Sequence, residues 1–421
     1  MRQLKLGKIA CIVAVFCVAA AVASSAQTLT TLTNFDENNG MSPVALTLGS
    51  NGNYYGVTTY GGTSSYCTGK TGCGTIFEMT PEGKVSTLYN FCSQAACADG
   101  FFPMAALVQA ADGNLYGTTA GAGEPGYCEK EGGCGTVFRM TPEGKLSTLY
   151  SFCSQANCAD GTQPETQLVP GAKGIFYGTT FQGGANAGGT VFEITRSGKL
   201  TTLYTFCSST NCEDGSGPTG LLLATNGSLY GTAGFNGKLG GGTAFEISRP
   251  GAFSTIYNFP SPDQDGYLPN ALIQAADGDF YGTSQGGGAS QNGSVFKLTP
   301  KGKLTTLYSF CSQAGCTDGA TPTTALVLGS DNNFYGTTQA GGANGQGGTV
   351  FEITPTGTLT TLYSFCSEIK DNLCTDGDRP GVLTPGANGT FYGETTAGGR
   401  FNKDTGPILG DGTVFAFQVA K

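Results

Sequence analysis

The chain of 421 residues contains no histidine, has only 21 lysines and arginines, and shows no apolar run beyond its first 26 residues that is long enough to cross a bilayer. Each shortage removes a class of function. Without histidine there can be no triad with a histidine base and no histidine-ligated metal. Acidic residues number 30, and taking away Arg2, Lys5 and Lys8 with an N-terminal leader leaves 18 basic against 30 acidic residues, a net charge of −12. Such a surface repels nucleic acid and anionic lipid, so neither is expected as a partner. No segment carries a helical apolar period over more than two turns, which leaves strands and turns as building material.

Residues 1–26 read as a signal peptide. Arg2, Lys5 and Lys8 precede an apolar run over 9–23, and Ser24, Ser25 and Ala26 are small residues at the positions a signal peptidase recognises. The mature chain is expected to begin at Gln27 and to work outside the cytoplasm, whether periplasmic, secreted or at the cell surface, with no transmembrane segment. Phe16 before Cys17 is too bulky for a lipoprotein cleavage site.

What the chain has in abundance is glycine, 69 residues placed at recurring landmarks. The stretch 333–365, NFYGTTQAGGANGQGGTVFEITPTGTLTTLYSF, holds one full set: Tyr-Gly, a glycine-rich gap, Gly-Thr-Val-Phe, a turn, then Leu-Thr-Thr-Leu-Tyr-Ser-Phe. The tyrosine recurs at Tyr55, Tyr116, Tyr177, Tyr230, Tyr281, Tyr335 and Tyr392, and the third-strand phenylalanine at Phe77, Phe138, Phe192, Phe245, Phe296, Phe351 and Phe415. In the second unit four short strands are predicted over 105–109, 114–119, 135–140 and 145–152, with Ala-Asp-Gly-Asn and Thr-Pro-Glu-Gly as turns between them. Seven antiparallel four-stranded units of this length predict an all-β, seven-bladed β-propeller occupying 27–421 as one domain. The blades are placed at about 43–91, 103–152, 164–206, 218–259, 269–310, 322–365 and 380–419. Residues 29–35 look like a fourth strand with no strands before it, and the last unit stops after its third. The N-terminal strand is therefore expected to complete the seventh blade by pairing with 412–418.

Loop lengths predict which side of the disc works. From third-strand to fourth-strand phenylalanine the step is 14 residues, as in Phe77 to Phe91 and Phe351 to Phe365. From tyrosine to third-strand phenylalanine it ranges from 15 (Tyr177 to Phe192) to 23 (Tyr392 to Phe415). In an up-and-down blade the second-to-third-strand loops and the blade-to-blade connections leave on the same face, so one face carries all the variable loops, where function concentrates.

All fourteen cysteines after the leader fall in those loops as local pairs: Cys67/Cys73, Cys92/Cys97, Cys128/Cys134, Cys153/Cys158, Cys207/Cys212, Cys311/Cys316 and Cys366/Cys374. A loop that lacks one member lacks both, which predicts seven local disulfides in an oxidising compartment rather than metal ligation. Neither metal nor cofactor is expected. Asp-Gly recurs at Asp99, Asp160, Asp214, Asp265, Asp318 and Asp376, with Asn39 in the first unit. A ring of carboxylates around the channel mouth is one reading. The preferred one is a turn in which the side chain accepts backbone N–H groups, a role asparagine can share.

No catalytic residue is assigned. The charges that break the repeat register are Glu394, where the usual residue is threonine, Arg400, Arg379, and Glu129 with Glu131 inside the Cys128/Cys134 loop. They are the candidate ligand-face residues, and Glu394 with Arg400 is the pair singled out.

With these seven in-register copies the chain resembles, over 29–417, the GloVer-type (Gloeo/Verruco) tandem repeat family of secreted bacterial proteins. The resemblance implies an exported, repeat-built protein, often with a C-terminal sorting anchor, and no established activity. Residues 415–421 read as a strand rather than a sorting tail, so a free periplasmic or secreted protein is expected over a covalently anchored one. The expected function is a monomeric binding or interaction module whose loop face meets an extracellular glycan or surface protein. The alternatives are a carbohydrate-active hydrolase or lyase using carboxylates on that face, and a purely structural envelope protein.

Overall fold

The computed structural model describes residues 29–64, 67, 72–121, 134–249, 251–261, 265–370, 373–400 and 410–419. Residues 1–26, read above as a signal peptide, and Cys128, Glu129 and Glu131 lie outside them. Seven antiparallel sheets, each built from strands in up-and-down order, form a β-propeller. Blade 2 is typical, with strands Val108–Gln109, Leu115–Thr119, Thr136–Met140 and Leu146–Ser151. Its inner strand is shorter than the sequence suggests. In blades 1 and 4 the equivalent strands, Met41–Leu48 and Ser216–Leu223, are long but shift register after Pro43 and Pro218. Proline has no N–H to give to the ladder, so pairing breaks as the chain passes it.

Leu29–Asn34 completes blade 7, pairing antiparallel with Thr413–Gln418 from Leu29 opposite Phe417 to Asn34 opposite Thr413. The chain's first strand thus closes the sheet of its last. Each outer strand carries a bulge beside the third-strand phenylalanine, as between Val137 and Phe138, and Leu29–Asn34 has its own between Thr31 and Thr33.

Buried apolar side chains gather at the seven blade junctions. At each one the fourth-strand phenylalanine of one blade packs on the third-strand phenylalanine of the next: Phe91 on Phe138, Phe152 on Phe192, Phe206 on Phe245, Phe259 on Phe296, Phe310 on Phe351, Phe365 on Phe415, and Phe35 on Phe77 across the closure. Burying one such ring stabilises the fold by about 1.5–3 kcal/mol. The glycine of Tyr-Gly is required by this packing: a Cβ on Gly336 would lie 2.6 Å from Cζ of Phe351. A second ladder runs inside the blades, where paired threonine hydroxyls on strands two and three hydrogen bond at 2.8–2.9 Å, as in Thr119 with Thr136 and Thr395 with Thr413.

Candidate functional site

The two kinds of long loop meet on one face of the disc. The N–H of Gly184, Gly342 and Gly399, each in a second-to-third-strand loop, donates to the carbonyl of Cys158, Cys316 and Cys374 in the preceding blade connection, all at 2.9 Å. The opposite face carries tight turns such as that closed by Gly49 N–H on Asn53 O at 2.7 Å.

Cys67–Cys73, Cys92–Cys97, Cys153–Cys158, Cys207–Cys212, Cys311–Cys316 and Cys366–Cys374 are disulfide-bonded. The two kinds of cystine also converge, which local pairing in sequence does not reveal: Sγ of Cys67 lies 3.9 Å from Sγ of Cys92. Oxidised sulfur of this kind has no thiolate to offer a metal. The first cysteine of the connection pairs sits in the left-handed region, with φ of 57° at Cys92 and Cys311 and 61° at Cys153, a conformation that persists only where its surroundings impose it.

The recurrent aspartate is what imposes it. Asp318, fully buried, accepts the Tyr308 hydroxyl at 2.8 Å and the Ser312 N–H and hydroxyl at 2.9 Å, while Gln313 N–H reaches its other oxygen at 3.3 Å. Asp99, Asp160, Asp214 and Asp376 repeat the clamp. The carboxylate therefore reaches back to residues five and six positions earlier, eight and nine at Asp376, a wider closure than a local turn, and its lone pairs are committed. Burial works against the charge on Asp318 and Asp214, but their hydrogen bonds outweigh it and hold both carboxyls below the usual aspartate range. The following glycine is equally constrained, since a methyl on Gly100 would collide with the Thr119 hydroxyl.

The off-register charges separate. Arg400 borders a loop-face cavity of about 820 Å³ with Ser367, Glu368, Ile369, Lys370, Leu373 and Thr375, and its backbone N–H donates to Asn34 Oδ1 at 2.9 Å. Arg379 is exposed at the start of blade 7 and is not part of that lining. Glu394 corrects the sequence reading. It is fully buried, neither carboxyl oxygen has a hydrogen-bond partner, and it forms no pair with Arg400. The register explains this, because Glu394 pairs with Val414 in a strand buried on both sides and points between blades. Burial pushes its carboxyl well above the usual value; nearby backbone N–H groups of Glu394 and Val382 oppose this only weakly. The corresponding threonines bond the next blade's inner strand, as Thr337 does with Gly381 O at 2.8 Å.

Residues from all seven blades enclose a central cavity of about 490 Å³. The residue after each inner-strand proline sits near the loop face, and Val44, Met104, Glu165, Thr219, Thr323 and Gly381 at this position line the cavity. Sequence reasoning passed over this ring, although aligning the residue that follows each proline would have shown it. Thr219 turns outward to Pro269 O at 2.7 Å, and Asn270, in the same position of blade 5, to Pro322 O at 2.9 Å. Glu165 makes no such bond, and burial pushes its carboxyl up from the ordinary glutamate value. The Thr323 hydroxyl is buried without a partner. A Cβ on Gly381 would strike Glu394 Oε1, so the Glu394 carboxyl fills the place of that blade's missing side chain.

A smaller cavity of about 270 Å³ lies on the tight-turn side between blades 6 and 7, with Asp331, Tyr335, Asn388 and Phe391 in its wall. There Asp331 already accepts the Tyr335 hydroxyl at 2.8 Å and the Asn333 amide at 3.0 Å, which leaves little unmet hydrogen bonding for a ligand.

Two solved structures share the architecture, and both are extracellular domains assigned to hybrid two component systems of B. thetaiotaomicron. BT4673 superposes with a TM-score of 0.58 at 10% identity, over 90% of this chain and 40% of that one. BT3049 does so with a TM-score of 0.56 at 13% identity, over 93% of this chain and 41% of that one. At this identity the likeness is one of fold, and the chain spans well under half the length of either. No curated protein matches the sequence. The model of the Gloeobacter/Verrucomicrobia repeat, in contrast, matches residues 15–154, 66–273 and 207–415; with these matches running along nearly the whole chain, the protein belongs to the Gloeobacter/Verrucomicrobia repeat family.

Proposed function

We propose that the protein is an extracytoplasmic binding module whose ligand sits on the face bearing the disulfide loops, with an extracellular glycan as the partner class. The observation that carries this reading is the asymmetry of the disc: strained, cystine-bearing, aspartate-clamped loops on one face and tight turns on the other. Rigid loops on a rigid scaffold lose little entropy on binding. The disulfides support a location in an oxidising compartment. Within this face the loop-face cavity beside Arg400 and the mouth of the central cavity are concave surfaces among the described residues, and both fall in the size range of small-molecule sites, about 300–1,000 Å³.

The test is a glycan array probed with the purified mature protein, followed by analysis of any captured glycan. Saturable retention of intact glycan is the expected result. New reducing ends would contradict a binding role and point to a hydrolase or lyase, and an empty array would favour a structural envelope protein.

A further inference from the structure

On the reading that the loop face binds sugars, we propose that the loop-face mouth of the central cavity is a monosaccharide-sized site selective for a hexosamine with a free ammonium group, with Glu165 as the charge partner. The lining contains one carboxylate, Glu165, and no lysine or arginine. Glu165 has no hydrogen bond among the described residues, whereas Thr219 and Asn270 at the same position spend theirs on the next blade. A partly buried carboxylate without a counter-charge is the complement of a cation held by direct hydrogen bonds.

The rest of the wall selects the kind of cation. Gln167 and Gln339 line the cavity. These groups match a hydroxyl-bearing ring. The Glu394 carboxyl, fully buried beside Gly381, is not part of the cavity wall, so Glu165 is the acid that a ligand there would meet. One carboxylate facing the cavity does not supply the six to eight oxygen ligands that a calcium ion takes. Glu165 with Gln167 and Gln339 suits a ligand carrying its ammonium on one side and hydroxyls on the other.

The test is calorimetric titration of the mature protein at pH 7 with glucosamine, N-acetylglucosamine and glucose. Glucosamine should saturate at least tenfold more tightly than either neutral sugar. Glu165→Gln, with its thermal midpoint unchanged, should bring glucosamine down to the neutral level, and Gln339→Ala should weaken all three sugars alike. Equal binding of the three sugars, no saturation by glucosamine, or an undiminished preference in Glu165→Gln would overturn the proposal. Its failure is separable from that of the loop-face reading, because an arrayed glycan still bound by Glu165→Gln would leave that reading standing without the channel site.

Discussion

The ring of Phe35 packs against that of Phe77 with centroids 5.0 Å apart, the same junction contact that Phe365 makes with Phe415 at 5.2 Å. The first pair joins the chain's opening strand to blade 1 and the second joins blades 6 and 7, so the closure is built like any other junction. Phe35→Ala should therefore destabilise the protein by about 3–5 kcal/mol, as much as Phe365→Ala, in denaturant unfolding. Deleting 29–35 should cost more and promote self-association, since it bares the edge of Thr413–Gln418. A Phe35→Ala variant as stable as the parent would show that the closure contributes nothing.

Glu394 and Gly381 should behave as one unit. Gly381→Ala alone should destabilise, because its methyl meets the Glu394 carboxyl. Gly381→Ala combined with Glu394→Thr gives blade 7 the threonine that Thr337 supplies in blade 6, makes room for the methyl and removes an unbonded buried carboxyl. The double variant should exceed the parent by about 1–3 kcal/mol, well above the sum of the single changes. Additive single effects in thermal unfolding would contradict this coupling.

The same carboxyl gives a pH dependence of known sign. Its folded-state pKa is raised above the ordinary value of 4.5. Its contribution is thus fully present below about that pH and is lost as the pH rises toward the folded value, by at most about 1.4 kcal/mol per unit. Stability of the parent relative to Glu394→Thr should fall as the pH rises above 4.5. Asp318 and Asp214 act in the opposite sense: their lowered pKa values stabilise above the ordinary 3.8, and that contribution is lost in acid. A stability difference between parent and Glu394→Thr that does not vary with pH would refute the buried-acid assignment.

In the connection loops the aspartate should matter more than the cystine. Cys311→Ser with Cys316→Ser opens a ring only five residues long in sequence and should cost about 2 kcal/mol at most. Asp318→Asn leaves the Tyr308 hydroxyl and the Ser312 N–H with a weaker acceptor in a fully buried site and should cost about 2–4 kcal/mol. Limited proteolysis across 311–319 should accelerate in both variants, and more in Asp318→Asn. The reverse order would assign the loop's shape to the disulfide.

Seven units and their closure were legible in the sequence because repetition averages out local ambiguity and because 29–35 and the final unit are complementary fragments. The loop face was legible from length variation alone. The fate of Glu394 was not: a residue's depth depends on strand register and on which blade faces it, and its spacing from Arg400 carries neither. The Asp-Gly motif was legible as a turn but not as a clamp, since Tyr308 lies ten residues before Asp318 and meets it only after the outer strand has folded back. The post-proline ring around the cavity went unread because its members share a position but differ in residue type.

The most direct test of a loop-face site is amide hydrogen exchange of the mature protein with and without the tightest binder from the glycan array. Ligand-dependent protection is expected in the connections around 92–103, 311–322 and 366–375 and in the post-proline segments beside Glu165 and Thr323. Protection confined to the turns at 49–53, 110–114 and 329–333, on the opposite face, would contradict it.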